Sequence, residues 1–243
     1  MGAKERGEIL LSKVKMNVLI ACEESQRVCT AFREKGHNAF SCDIQECSGG
    51  HPEWHIQGDV LPLLNGGDYF FHTADGKQQY IEKWDLIIAH PPCTYLTNGG
   101  AVRMFRKEIR ECKPYGTFQM VNVERLKCGI LARDFFTTFL NADCEKIVIE
   151  NPIPMTIYML PKPSQVIQPF MFGEPYSKKT GLWLKGVEAL RPTQILEEYQ
   201  PFINGGGGRM ERANYNGKKF AVGSCKRSKT FPGIAKAMAE QWG

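Results

Sequence analysis

The feature that most constrains this chain is a series of short, apolar, β-branched runs that alternate with stretches of helical spacing. Met16-Asn-Val-Leu-Ile-Ala-Cys22 reads as a buried strand. A helix is expected from about Gln26 to Lys35, with Ser25 placed to cap it and Gly36 to stop it. Asn38 to Ile44 reads as a second strand that reaches Asp43, and Trp54 to Val60 as a third that ends on Gly58-Asp59-Val60. Ala-Asp-Gly-Lys sits between two alternating segments within Asp68 to Trp84, which predicts an inserted hairpin. Trp84-Asp-Leu-Ile-Ile-Ala-His90 is the next buried strand, and Pro91-Pro92 ends it. Phe118 to Leu140 has helical spacing, and Lys146-Ile-Val-Ile-Glu150 is a further strand stopped by Asn151-Pro152. Strands that alternate with helices need crossover connections, so the expected fold is α/β, a Rossmann-like parallel sheet with helices on both faces.

Beyond Pro152 the pattern loosens. Gln165 to Phe172 and Thr180 to Lys185 read as strands paired at the sheet edge, and Thr230 to Trp242 as a last helix with Pro232 in its first turn. The expected division is a core over 1–191, a small irregular lobe over 192–225 that contains Gly205-Gly-Gly-Gly208, and a helix over 226–243 returning to the core. Apolar residues are 42% and charged residues 23% of the 243-residue chain, ordinary values for a buried core. No apolar run is long enough to span a bilayer, and the start lacks the features of a signal peptide. Cysteine numbers 9, an odd count without a Cys-x-x-Cys pair, which suits a reducing, cytoplasmic setting. The net charge of +5 is concentrated locally. Arg103, Arg106, Lys107, Arg110 and Lys113 face only Glu108 and Glu111, and a second basic cluster runs from Arg209 to Lys229. Such clusters suit a polyanionic partner.

In open α/β sheets the working residues lie at the carboxyl ends of the strands. Glu23, Asp43, Asp59, Cys93 and Glu150 all fall at or just past such ends. Two prolines stiffen the chain before Cys93, presenting a thiol at the mouth of the sheet. Glu150 ends the next strand and can bring a carboxyl to the same pocket.

These islands resemble the family of DNA cytosine-5 methyltransferases, in particular its short phage and mobile-element versions. Pro91-Pro92-Cys93 is similar to the family's Pro-Pro-Cys nucleophile motif, and Glu150-Asn151-Pro152 to its Glu-Asn-Val motif. Gly58-Asp59-Val60 resembles its Gly-Asp-Ile segment, and Thr230-Phe-Pro232 its Ser-Val-Pro segment. The resemblance implies a class I S-adenosylmethionine-dependent fold. It implies that Cys93 adds to carbon 6 of a flipped cytosine and that Glu150 contacts the base. The cofactor would lie against Ala21, Cys22, Glu23, Glu24, Asp43, Ile44, Asp59, Val60, His90 and Thr230. DNA would meet Pro92, Asn151, Arg103, Arg106, Lys107, Arg110, Lys178 and Lys179. The basic segment after Cys93 is expected as a loop that closes over the flipped nucleotide.

The chain departs from the family in two places. Ala21-Cys-Glu-Glu-Ser-Gln26 carries no glycine where the family's first motif is glycine-rich, and Lys178-Lys179 stands in for an arginine motif. A non-catalytic nucleic-acid-binding relative, or methylation of RNA or of a free cytidine nucleotide, therefore stays open. Cys42, Cys47, His51 and His55 have residue types that suit zinc, but Gly49-Gly50 and Pro52 break the helix that would align the histidines. The preferred expectation there is a metal-free loop.

Overall fold

The structure, a computed structural model, describes residues 14–97, 101, 103–114, 116–202 and 229–243. The anticipated runs form the centre of a seven-stranded sheet. Its members are β1 (Asn17–Ala21), β2 (Asn38–Asp43), β3 (His55–Gln57), β6 (Leu86–Ala89), β9 (Ile147–Asn151), β10 (Gln165–Ile167) and β12 (Thr180–Lys185). The order is β10-β12-β9-β6-β1-β2-β3. The five strands from β9 to β3 are parallel, whereas β12 runs antiparallel to both β9 and β10. This is an α/β architecture compatible with a Rossmann-like fold.

Every residue of β6 is buried, as expected of a strand covered on both faces. Alternate side chains enter two cores. Val18, Ile20, Leu86, Ile88 and Val148 pack with α1 (Arg27–Glu34) and α3 (Pro232–Trp242). Leu19, Ala21, Ile87, Ala89, Ile147 and Ile149 pack on the opposite face with α2 (Val123–Leu140). The last helix therefore lies beside the first, and its approach brings Thr230 to the carboxyl ends of the strands. Pro232 occupies its first turn, as expected.

The inserted hairpin is present as β4 (Tyr69–His72) and β5 (Gln78–Ile81). Several boundaries differ from expectation. Phe118 does not begin the long helix. Residues Gly116–Val121 form β8, antiparallel to β7 (Phe105–Cys112), and α2 starts only after Asn122, whose side chain accepts a hydrogen bond from the Arg125 amide at 3.2 Å. The expected basic loop is thus largely a two-stranded ribbon. Ser25 does not cap α1, since Gln26 occupies that position without a side-chain bond. Gly58-Asp59-Val60 follows β3 rather than belonging to it. Only Gln165–Ile167 of the expected Gln165–Phe172 strand is extended, because Pro169 starts a 3-10 turn.

Of the expected lobe over 192–225, the first part runs back along the core. Leu196 donates its amide to the Phe170 carbonyl, and β13 (Gln200–Pro201) pairs with β11 (Tyr176–Ser177). Residues 203–225 lie outside the described residues. Among the described residues no helix is long and apolar enough to cross a membrane.

Candidate active site

Parallel pairing of β6 with β9 sets the site. Ala89 lies opposite Ile149, so His90 and Glu150 follow side by side. His90 Nδ1 lies 2.7 Å from Glu150 Oε2. The Thr230 hydroxyl donates to that same oxygen at 2.9 Å. Oε1 of Glu150 takes no hydrogen bond from the described residues. Burial alone would push the Glu150 carboxyl up. The His90 bond and charge, Lys178 and the Thr230 hydroxyl outweigh it and hold the group at about 2. His90 is the counterpart: burial pushes its imidazole down, but Glu150 and the charge of Glu23 leave it above its usual value. The two form a buried ion pair. Nε2 of His90 is buried and has no hydrogen-bond partner among the described residues.

The next residues tie two loops together. Asn151 donates its side-chain amide to the Pro91 carbonyl at 2.6 Å, while its own Oδ1 is buried without a partner among the described residues. After Pro92 the chain turns tightly, with the Leu96 and Thr97 amides donating to the Cys93 carbonyl. Met155 then donates to the Leu96 carbonyl at 2.7 Å, and Thr97 bridges Pro154. The loop that bears Cys93 is therefore bonded to the loop that follows Glu150. The Cys93 residue is half-buried.

Arg125, a residue the sequence did not single out, reinforces this arrangement. It is buried on α2, donates Nη2 to the Thr94 carbonyl at 3.1 Å and lies 5.2 Å from the Tyr95 ring centre. Its only sequence signal is an arginine near the start of an apolar helix, which is weak.

The expected cofactor side is organised differently from a glycine-rich turn. Cys22 and Gln26 adopt left-handed φ values of 59° and 57°. That region is costly for residues other than glycine. Both oxygens of Glu23 are committed, accepting the Val28 amide at 2.7 Å and the Cys29 amide at 3.2 Å. Glu23 thus does what Ser25 was expected to do, binding the free amides at the start of α1. Gln26 bonds both the amide and the carbonyl of His51. A β-carbon on Gly49 would come within 2.5 Å of Gln26 Cβ, so the close approach requiring glycine lies in the β2–β3 loop. Glu24 pairs with Lys229 at 3.5 Å, joining the turn after β1 to the segment before α3.

Asp43 and Asp59 stand near Cys22, whose thiol is pushed up by burial and by these two charges. One oxygen of Asp43 accepts the Gln45 amide, and one oxygen of Asp59 accepts the Leu61 amide, each leaving its second oxygen without a described partner. Ala21 and Val60 are buried, whereas Ile44 is exposed. Lys178 is half-buried and its charge is felt by both His90 and Glu150; Lys179 is exposed. Arg103, Arg110 and Lys113 are exposed on or beside the ribbon, Arg106 and Lys107 fall on β7, and Pro92 is exposed at the mouth of the sheet.

Cys42, Cys47, His51 and His55 are not gathered around a common point, and among the described residues no group of three or more His, Cys, Asp or Glu side chains could hold a metal ion. His55 has both ring nitrogens engaged, by Ser41 Oγ and the Gln45 carbonyl, and His51 stacks on Trp54. A cavity of about 610 Å³ lies at the amino ends of the strands beside Asp85 and Lys146, and one of about 640 Å³ between α1 and α3; neither Cys93 nor Glu150 lines them. No protein-family model and no curated protein matches the chain.

Proposed function

We propose that the chain is a cytosine-5 methyltransferase acting on DNA with S-adenosylmethionine as methyl donor. The observation that carries this reading is the joining of the Cys93 loop to the Glu150 strand end through Asn151–Pro91 and Met155–Leu96. A cytosine ring has an unreactive carbon 5 until a thiolate adds at carbon 6. Cys93 supplies the thiol, and Glu150 Oε1 is open to face nitrogen 3 and the exocyclic amine. The α/β sheet with helices on both faces suits the class I methyltransferase fold.

The donor set also fits the cofactor. The second oxygens of Asp43 and Asp59 are acceptors for the hydroxyls and amines of a nucleoside. Asp43 would hold the ribose, and Cys22 and Val60 would flank it. When bound, the cofactor supplies an electrophilic methyl group on sulfonium. Glu23 is not assigned to its methionine amine, because both Glu23 oxygens serve α1. A duplex buries cytosine carbon 6 within the base stack, so the nucleotide must rotate out. The β7–β8 ribbon, which follows the Cys93 loop in the chain and carries the exposed Arg110, is suited to phosphate contact or to entry into a major groove, which admits a two-stranded ribbon.

A second reading, a nucleic-acid-binding relative without catalysis, is favoured by the glycine-free turn and the committed Glu23. One set of measurements separates them. The wild type is expected to bind the cofactor by calorimetry and to form a covalent complex with DNA carrying 5-fluorocytosine. C93S is expected to lose the complex, and E150A to lose at least about 100-fold in methyl transfer. DNA trapping that survives C93S removes Cys93 as the nucleophile. A wild type that binds DNA but no cofactor establishes the second reading.

A further inference from the structure

We propose that His90 is the proton store for Glu150, a positioning residue that lets an ionised carboxylate act as an acid toward cytosine nitrogen 3. This rests on the cytosine reading above. Addition of the Cys93 thiolate at carbon 6 drives electrons toward nitrogen 3, which must gain a proton or a strong hydrogen bond. Glu150, the group in place to give it, sits 2.7 Å from His90 in a buried ion pair. Alone, such a carboxylate has no proton to give.

The geometry supplies one. His90 Nδ1 and the Thr230 hydroxyl both meet Oε2, so Oε1 is left for the base. A proton leaving His90 Nδ1 for Glu150 converts the pair to neutral imidazole and carboxylic acid. That proton sits on Oε2, so the carboxyl turns about its Cγ–Cδ bond to present it, and the acid protonates nitrogen 3 as the carbon–sulfur bond forms at carbon 6. The pair of electrons from the 5,6 double bond moves to make carbon 5 nucleophilic. Once carbon 5 has taken up a methyl group, or a proton from water, its original hydrogen passes to water, the carbon–sulfur bond breaks to restore the 5,6 double bond and the Cys93 thiolate, and nitrogen 3 returns its proton through Glu150 to His90. The cycle is neutral in protons at the pair and needs no oxidant or reductant.

The surroundings suit storage. Three charged groups act on His90 from different elements: Glu150 at the end of β9, Glu23 after β1 and Lys178 between β11 and β12. Two negative groups and one positive one favour the imidazolium. Its burial keeps the stored proton from water. The family resemblance sets His90 against the cofactor; in the structure its ring engages the Glu150 carboxylate.

The test uses the full chain and DNA labelled with tritium at cytosine carbon 5. Release of tritium to water needs addition at carbon 6, uptake of a proton from water at carbon 5, loss of the tritium and reversal, with no methyl donor. The wild-type rate is expected to fall about tenfold per pH unit above the raised His90 value. H90Q, whose amide can hydrogen-bond Glu150 but cannot release a proton, is expected to be about 100-fold slower and to lack that alkaline limb. H90Q that keeps both the rate and the limb overturns the proposal while leaving cytosine methylation intact. A wild type that neither releases tritium nor methylates DNA sinks the function itself. If H90Q does not fold, imidazole nitrogen shifts of wild-type His90 decide. An imidazolium at neutral pH that becomes neutral in the 5-fluorocytosine complex supports the store; a neutral ring in the free protein refutes it.

Discussion

Glu150 is paired with His90, and what that pair contributes to stability can be read from pH. Its folded value of about 2 lies below the ordinary 4.5, so its contribution is present above pH 4.5 and lost as pH falls toward 2. His90 is shifted upward from 6.5, so its contribution is present below pH 6.5 and lost as pH rises through the raised value. The pair therefore stabilises most between pH 4.5 and 6.5. E150Q leaves a buried imidazolium unpaired and is expected to lose about 3 kcal/mol near pH 6. The wild-type and E150Q melting temperatures should converge as pH is lowered toward 2, a comparison thermal denaturation makes directly. Both residues were legible in the sequence, since strands of a parallel sheet must end somewhere and the residues after Ala89 and Ile149 are His and Glu. The pairing between them was not. Neither was Glu23 as the anchor of α1 or Arg125 as the anchor of the Cys93 loop, because a hydrogen bond between distant residues leaves no trace in local spacing.

At the scale of elements, the strands were clearer than their neighbours. A buried strand is an uninterrupted apolar run, and β1, β6 and β9 are of that kind. The ribbon β7–β8 was hidden because its apolar residues, Phe118 and Val121, sit at a spacing that also continues the periodicity of α2. The signals that separate the two were present: Pro114 and Gly116 mark a turn, and Asn122 is a strong residue for a helix start. α2 itself is set by contact with the turn at Tyr158. Gly129 of α2 abuts the Tyr158 ring so closely that a β-carbon would overlap it. G129A is expected to push the helix from that turn at a cost of about 2 kcal/mol. Calorimetry should show a melting temperature lower by about 6 °C. Because α2 also carries Arg125, the change should slow adduct formation as well.

The whole molecule is closed by residues distant in sequence. α3 places Ile234, Ala235, Met238 and Trp242 in the core that α1 shares through Val28, Cys29 and Phe32. Arg27 reinforces this by donating to the Thr230 carbonyl at 2.7 Å. A chain ended after residue 228 exposes that face of the sheet and removes Thr230 from Glu150. It is expected to lose cooperative unfolding, which urea titration followed by tryptophan fluorescence would reveal; a sharp transition like that of the full chain would show that α3 is dispensable.

The hydroxyl that Thr230 gives to Glu150 also sets an order of events during synthesis. The ribosome makes His90 and Glu150 first, and a translating chain can pair them long before Thr230 exists. Until it arrives the carboxylate lacks one of its two donors, and α1 has no partner helix. The carboxylate thus gains its full set of donors only when the last residues of the polypeptide have been written.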